Sequence, residues 1–89
     1  MQEVIINGSD FDTTEEVFEF LAEELDWPDG YKRSLSALYD VLTELSDDTR
    51  IVLNLSGVED DKMIEMLERM AEVLTDAADA SEYLEVSIE

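Results

Sequence analysis

Residues 51–88 predict a strand, a long helix and a second strand, and they read IVLNLSGVEDDKMIEMLERMAEVLTDAADASEYLEVSI. The short, mostly apolar run at 51–55 is typical of a buried strand, and the apolar–polar alternation at 83–88 is typical of a half-buried one. Strands joined by a crossover helix lie parallel in one sheet, and such crossovers are right-handed. We therefore expect this segment to form a parallel, right-handed β-α-β unit.

The helix between these strands is predicted to run from Asp60 or Asp61 to about Asp79. Aspartate is a favoured N-cap, and apolar residues then recur at helical spacing along the whole span. The inward stripe of this helix consists of Met63, Ile64, Leu67, Met70, Ala71, Leu74 and Ala78. An amphipathic helix of this length can cover one face of a small sheet.

Another strand and helix are predicted near the start of the chain. Glu3–Ile6 is strand-like and stops at the turn dipeptide Asn7–Gly8. Thr13 and Glu16 have the spacing of a capping box, so a helix is expected to begin there and to end before Trp27–Gly30. The apolar stripe of this helix consists of Val17, Phe18, Leu21 and Leu25.

A second helix is predicted over residues 35–45, with Ser34 as its N-cap. Its inward stripe consists of Leu35, Leu38, Val41, Leu42 and Leu45. The complete order is then β-α-α-β-α-β, a two-layer α/β domain with three short strands in one sheet and its helices on one face. We expect one such domain over residues 1–89. The opposite sheet face should stay partly wet, which fits the polar strand residues Glu3, Asn54, Glu85 and Ser87.

The charge of the chain excludes several kinds of partner. Its 89 residues contain 25 Asp and Glu against 5 Lys and Arg, a formal charge of −20, while 45% of the residues are apolar. The apolar content predicts a folded protein rather than a disordered one. Nucleic acids and anionic membranes bind through clusters of Lys and Arg, so we expect neither as a partner. Self-repulsion also favours a monomer in the free protein.

The absence of two residue types excludes several kinds of chemistry. The chain has no Cys and no His, which removes thiol catalysis, disulfides, His-based triads and the usual zinc ligands. No apolar run is long enough to span a membrane, and no signal-like segment opens the chain. We therefore expect a cytoplasmic protein without a cofactor, and three possibilities remain at this point: a carboxylate-based enzyme, a divalent-cation binder, or a module that docks onto a basic partner.

The outward face of the second helix carries the candidate functional residues. Opposite the leucine stripe lie Ser36, Asp40 and Thr43, with Tyr39 at the border. The loop at 29–33 comes directly before this helix and contains another tyrosine. By spacing alone, these residues fit either a solvated helix face or a surface that docks into a basic cleft.

Residues 30–40, GYKRSLSALYD, resemble the signature of the barstar family, the intracellular inhibitors of the secreted ribonuclease barnase. The family pattern here is Tyr-Tyr-Gly-x-Asn-Leu-Asp-Ala-Leu-Trp-Asp. The matching residues are Tyr31, Leu35, Ala37, Leu38 and Asp40, and Tyr39 replaces the tryptophan. The start of the chain is also similar to the family, and its β-α-α-β-α-β order agrees with the family's three-stranded parallel sheet, which the resemblance implies here. The resemblance implies a non-enzymatic protein whose second helix and preceding loop plug the active site of a small basic ribonuclease.

The resemblance also implies roles for individual residues. Asp40 would occupy the position of the scissile phosphate, Tyr39 would be the aromatic anchor, and Tyr31 would pack beside them. Asp76, on the third helix, falls near an outlying acidic contact of the family. The complete set of partner-binding residues expected from this comparison is Gly30, Tyr31, Ser34, Ser36, Tyr39, Asp40, Thr43 and Asp76.

The chain departs from the family pattern at several of these positions. Ser36 replaces a second acid, Lys32 and Ser34 replace glycine and asparagine, and Arg33 adds a positive charge beside the docking surface. The cognate nuclease could therefore differ from barnase. A docking module for another basic partner is the alternative function.

Three further alternatives are weaker. An acyl carrier protein would carry its phosphopantetheine on a serine that begins a helix, and Ser34 is the only fit. No segment has the ligand spacing of a calcium-binding loop, and Glu59–Asp61 is better explained as negative charge at a helix N-terminus. Carboxylate catalysis needs a pocket that shifts a pKa, and outward pairs such as Glu65 and Glu68 provide none.

Overall fold

The computed structural model describes residues 2–27 and 34–89, and in them the predicted order of strands and helices is confirmed. A short 3-10 helix, Gly8–Asp10, follows the first strand at the predicted turn. The remaining elements are β1 (Gln2–Asn7), α1 (Thr14–Glu24), α2 (Leu35–Thr43), β2 (Thr49–Asn54), α3 (Asp61–Ala80) and β3 (Leu84–Ile88). The fold is therefore β-α-α-β-α-β, as the hydrophobic periodicity indicated.

The strands form one three-stranded sheet in the order β1-β2-β3, with both pairs parallel. The register places Ile51 of β2 between Val4 of β1 and Val86 of β3. The most deeply buried strand, β2, is thus central, where it pairs on both sides, while β1 and β3 form the two edges. The parallel pairing of β2 with β3 was predicted from the crossover helix between them, and that of β1 from the family resemblance, whereas the strand order was not predicted.

Only one face of this sheet is covered by the helices. Val4, Ile51 and Leu84 point to the helical layer and are buried. On the opposite face, Glu3 lies 3.7 Å from Arg50 in an ion pair, and both side chains are about half exposed. The predicted two-layer arrangement with a partly wet sheet face is therefore confirmed.

Helix α1 begins where the capping signal predicted. The Thr13 hydroxyl accepts a hydrogen bond from the Glu16 N–H (3.3 Å), and the Glu16 carboxylate accepts one from the Asp12 N–H (3.3 Å). Beyond the end of the helix, the buried Trp27 ring meets Phe18 edge-on, with 6.3 Å between ring centroids. The indole therefore anchors the chain that leaves α1 against the core.

Helix α2 ends at Thr43, two residues earlier than predicted. The Glu44 N–H bonds the carbonyl of Val41, three residues back (3.2 Å), so the last turn is tighter than an α-helix. Leu45 lies outside the helix but still packs against the core, half-buried. The apolar period correctly identified Leu45 as a core residue and misplaced the helix boundary, because a 3-10 turn continues the same face.

Strand β2 begins at Thr49, two residues earlier than predicted. Thr49 is buried, its N–H donates to the Tyr83 carbonyl (2.7 Å), and its hydroxyl donates to the Asp47 carbonyl (3.1 Å). The polar pair Thr49 and Arg50 gave no strand signal in the sequence. Pairing with both neighbouring strands, rather than local propensity, extends the strand here.

Candidate functional site

Helix α2 presents the candidate residues because its opposite face is buried. Leu38, Val41 and Leu42 are buried in the core. One consequence of the helical period is that Ser36, Tyr39 and Asp40 point away from the core, and all three are exposed. Tyr39 is 37% exposed, so its ring lies partly against the protein and partly in solvent.

A depression between α2 and α3 brings most of the predicted residues together. It is open to solvent and has a volume of about 390 Å³. Its lining consists of Leu35, Ser36, Tyr39 and Asp40 from α2, and Val73 and Asp76 from α3. We call this surface the α2–α3 depression. Asp76 lies far from Asp40 in the chain, and the packing of the two helices places both carboxylates at the same surface.

The α2–α3 depression is acidic and partly apolar. The Lys and Arg side chains that the structure describes are Arg50, Lys62 and Arg69, and none of them lines it. Leu35 and Val73 are half-buried and give it an apolar component beside Tyr39. A carboxylate next to an aromatic ring and aliphatic groups suits a guanidinium or ammonium group with its alkyl stem. Chemically, the surface can bind a cationic side chain.

Two predicted partner-binding residues lie outside the depression and use their hydroxyls within α2. Ser34 is the N-cap, and its Oγ accepts a hydrogen bond from the Ala37 N–H (3.2 Å), as predicted. The Thr43 hydroxyl lies within hydrogen-bond distance of the carbonyls of Tyr39 (3.0 Å) and Asp40 (3.1 Å). Thr43 is half-buried at the far end of the helix.

The other predicted residues of this site, Gly30 and Tyr31, lie outside the described residues, as do Lys32 and Arg33. Two residues of the depression, Leu35 and Val73, were not predicted as site residues. Leu35 was assigned to the core stripe alone, and Val73 was not singled out. Val73 precedes Asp76 by three positions, so it shares its helix face, and that spacing could have identified it.

The weaker alternatives find little support in the structure. The parallel sheet does not fit the helical bundle expected of an acyl carrier protein. The Glu65 carboxylate, considered for catalysis, is exposed and pairs with Arg69 at 3.0 Å. Within residues 2–27 and 34–89, no group of three or more carboxylates could hold a metal ion. None of the helices described is long and apolar enough to cross a bilayer.

Removal of the α2 cap should destabilise the helix that carries the site. Ser34→Ala leaves the Ala37 N–H without its side-chain acceptor and should lower the free energy of unfolding by about 1 kcal/mol in urea titrations. Ser36→Ala is the matched control, because the same hydroxyl is lost from an exposed position that caps nothing. Ser34→Asp, which keeps an acceptor, should restore stability. Equal losses for Ser34→Ala and Ser36→Ala would contradict the capping role.

Comparison with known proteins identifies relatives of this chain. A family model described as "Barstar (barnase inhibitor)" matches residues 1–88. The curated protein "Putative ribonuclease inhibitor YrdF" of Bacillus subtilis (strain 168) is 46% identical over 43 residues, which are 48% of this chain and 47% of that protein. The match to this relative thus spans about half the length of each protein.

Proposed function

The chain belongs to the barstar family, and from this premise we propose that it inhibits a small basic ribonuclease by covering the active site of the enzyme. The inhibitory surface is the α2–α3 depression together with the loop that precedes α2. The observation that carries the proposal is the convergence of Ser36, Tyr39, Asp40 and Asp76 on one acidic, partly apolar surface. The similarity to a named ribonuclease inhibitor supports the same function.

Electrostatic complementarity explains how such a surface can block a nuclease. A ribonuclease must hold the phosphate groups of RNA, so its active-site cleft carries cationic side chains. The exposed Asp40 carboxylate can accept charge-assisted hydrogen bonds from those side chains in place of a phosphate. Asp76 adds a second carboxylate at the edge of the same surface. The inhibitor therefore needs no catalytic group, because occupation of the cleft is enough.

Aromatic and apolar groups give this surface its packing contacts. Tyr39 presents 37% of its surface to solvent beside Asp40. Rigid aromatic side chains at the centre of an interface typically carry much of the binding free energy. We assign Tyr39 as the aromatic anchor, with Ser34 and Thr43 at the two ends of α2, and we assign Gly30 and Tyr31, which precede α2 in the chain, as further partner contacts. The target is a secreted microbial ribonuclease, and the free inhibitor is a monomer.

Inhibition by occlusion predicts competition with the substrate. Titration of this protein into a panel of small microbial ribonucleases, with barnase included, should abolish the activity of the target at one-to-one stoichiometry. A bound mononucleotide should be displaced by the inhibitor, and an excess of mononucleotide or RNA should slow the formation of the inhibitor–nuclease complex. The Asp40→Ala variant serves as the weakened control. A ternary complex of inhibitor, nuclease and mononucleotide would show that the active site is not covered.

The alternative function is docking to a basic partner that is not a nuclease. The same depression would serve, because any partner with an exposed arginine or lysine cluster can complement Asp40 and Asp76. Failure to inhibit any ribonuclease of the panel, together with Asp40-dependent binding of another basic protein, would favour this alternative.

A further inference from the structure

The outer edge of β3 has no strand paired with it among the described residues, because β3 is the last strand in the order β1-β2-β3. On the inner side, every second residue of β3 makes the backbone hydrogen bonds to β2. The Tyr83 carbonyl accepts from the Thr49 N–H (2.7 Å), and Glu89 exchanges bonds with Leu53 (2.8 Å) and Leu55 (2.9 Å). Glu85 and Ser87 lie in the same phase as Tyr83 and Glu89, so their backbone groups also point toward β2.

The intervening residues direct their backbone groups away from the sheet. Leu84, Val86 and Ile88 stand opposite Thr49, Ile51 and Leu53, and their N–H and C=O groups point to the outer edge. Same-side groups repeat about every 6.6 Å along a parallel strand. Proteins usually protect such edges with a proline, a bulge or a lysine. β3 has the sequence LEVSI and a continuous register, so none of these devices is present.

The side chains around this edge are apolar and acidic. Tyr83 is 43% exposed and Ile88 is 42% exposed, so large apolar groups flank both ends of the strand. Glu82, Glu85 and Glu89 are exposed along it, and residues 70–89 contain no Lys or Arg. The edge thus combines an open row of backbone groups with net negative charge: Arg50 of β2 lies opposite Glu85 in the register, and its guanidinium pairs with Glu3 at 3.7 Å.

We propose that the outer edge of β3 binds an extended basic segment of a protein by strand addition. This recognition mode draws affinity from main-chain hydrogen bonds and specificity from alternate side chains. In the added strand, residues on the helical side would lie beside Val86 and Ile88 and should be apolar. Residues on the open side would lie beside Glu85 and Glu89 and should be Lys or Arg. The partner segment therefore alternates apolar and basic residues.

The same charges make a second copy of this chain a poor occupant. Pairing of two β3 edges would place Glu85 and Glu89 of one copy near the same acids of the other, and like charges across a strand pair destabilise it. The formal charge of −20 adds long-range repulsion. The acids therefore prevent self-association while leaving the edge open to a basic strand. The residues of this edge do not line the α2–α3 depression, so the site is separate from the proposed inhibitory surface.

Amide hydrogen exchange can detect strand addition directly. In the free protein, the Val86 N–H should exchange quickly, while the Ser87 N–H, bonded to β2, should exchange slowly. The probe is the peptide acetyl-Lys-Val-Lys-Val-Lys-Val-Lys-amide at low ionic strength, added to isotope-labelled protein. Saturation with this peptide should slow exchange at Val86 and Ile88 by roughly tenfold or more, since those amides gain hydrogen bonds. A peptide of the same composition with its lysines and valines in two blocks should have little effect.

Two variants separate backbone pairing from charge attraction. Val86→Pro removes an N–H that makes no bond to β2. This variant should therefore lose peptide binding while the pairing of β2 with β3 is retained. The double variant Glu85→Lys/Glu89→Lys should not bind the basic peptide, and it should bind the peptide in which glutamate replaces each lysine. Glu68→Lys/Glu72→Lys, with the same change of charge on exposed α3 positions, is the matched control and should bind as the unmodified protein does. If Val86→Pro does not fold, the charge-reversal pair still decides the question.

Several results would overturn the proposal. One is an amide exchange rate at Val86 that does not change in saturating peptide. Another is a loss of peptide affinity in Glu68→Lys/Glu72→Lys equal to that in Glu85→Lys/Glu89→Lys. A third is a dimer of the free protein that forms through β3. Glu85→Lys/Glu89→Lys should also retain full inhibition of the target ribonuclease. The failure of strand addition is thereby distinguished from a failure of the proposed inhibitory function.

Discussion

Asp40→Ala is expected to weaken ribonuclease binding more than any other single substitution in the α2–α3 depression. In the complex, the Asp40 carboxylate would neutralise cationic groups of the active site that otherwise bind phosphate. Its removal leaves those cations desolvated and unpaired, which typically costs about 2–5 kcal/mol, or roughly 30- to 5,000-fold in Kd. The barnase–barstar pair itself contributes to that general range. Tyr39→Ala and Tyr31→Ala should follow with smaller losses.

The measurement is a Kd by calorimetry or by inhibition of the target ribonuclease, with the thermal unfolding of each variant recorded alongside. Glu68→Ala is the matched control, because Glu68 is exposed on α3, carries the same charge and does not line the depression. Its Kd should change by less than about threefold, as is usual for exposed surface charges. Similar losses for Asp40→Ala and Glu68→Ala would show that binding depends on diffuse charge rather than on this site.

Salt is expected to slow the association of inhibitor and ribonuclease at least about tenfold between low and high ionic strength. The formal charge of −20 attracts a basic enzyme before contact. That attraction is screened beyond about 30 Å at 10 mM salt and beyond about 8 Å at physiological salt. Most of the acids lie outside the α2–α3 depression, so they act mainly on the encounter. The dissociation rate should change little, because Asp40 makes its contacts at short range.

Stopped-flow kinetics across ionic strength will measure both rates. Lys32 and Arg33 directly precede Ser34, the N-cap of α2, in the chain, and their positive charges are of the same sign as a basic partner. The double variant Lys32→Gln/Arg33→Gln should therefore associate faster than the unmodified protein, most clearly at low salt. An association rate that does not respond to salt would mean that the partner cleft is not basic, and the proposed ribonuclease target would be wrong.

The candidate site was only partly predictable from the residues themselves. Ser36, Tyr39 and Asp40 could be placed on one face of α2 because their spacing matches the helical period. Asp76 came from the resemblance to barstars, since no local pattern connects it with Asp40. Val73 was missed although its spacing of three from Asp76 places both on one helix face, because no local pattern shows which face of α3 lies beside α2. Ser34 was correctly predicted as a cap, because capping depends on a few neighbouring residues.

The order of helices and strands, and the parallel pairing of β2 with β3, could be read from the residues alone. Helical and strand periods, capping residues and crossover lengths act within a few residues of one another, so they can be read without knowledge of the fold. The tertiary structure alone decided the strand order, the start of β2 at Thr49, and the meeting of Asp40 with Asp76. It also left β3 at an edge of the sheet. Each of these depends on how buried stripes from distant parts of the chain pack together, and that packing is a property of all the elements at once.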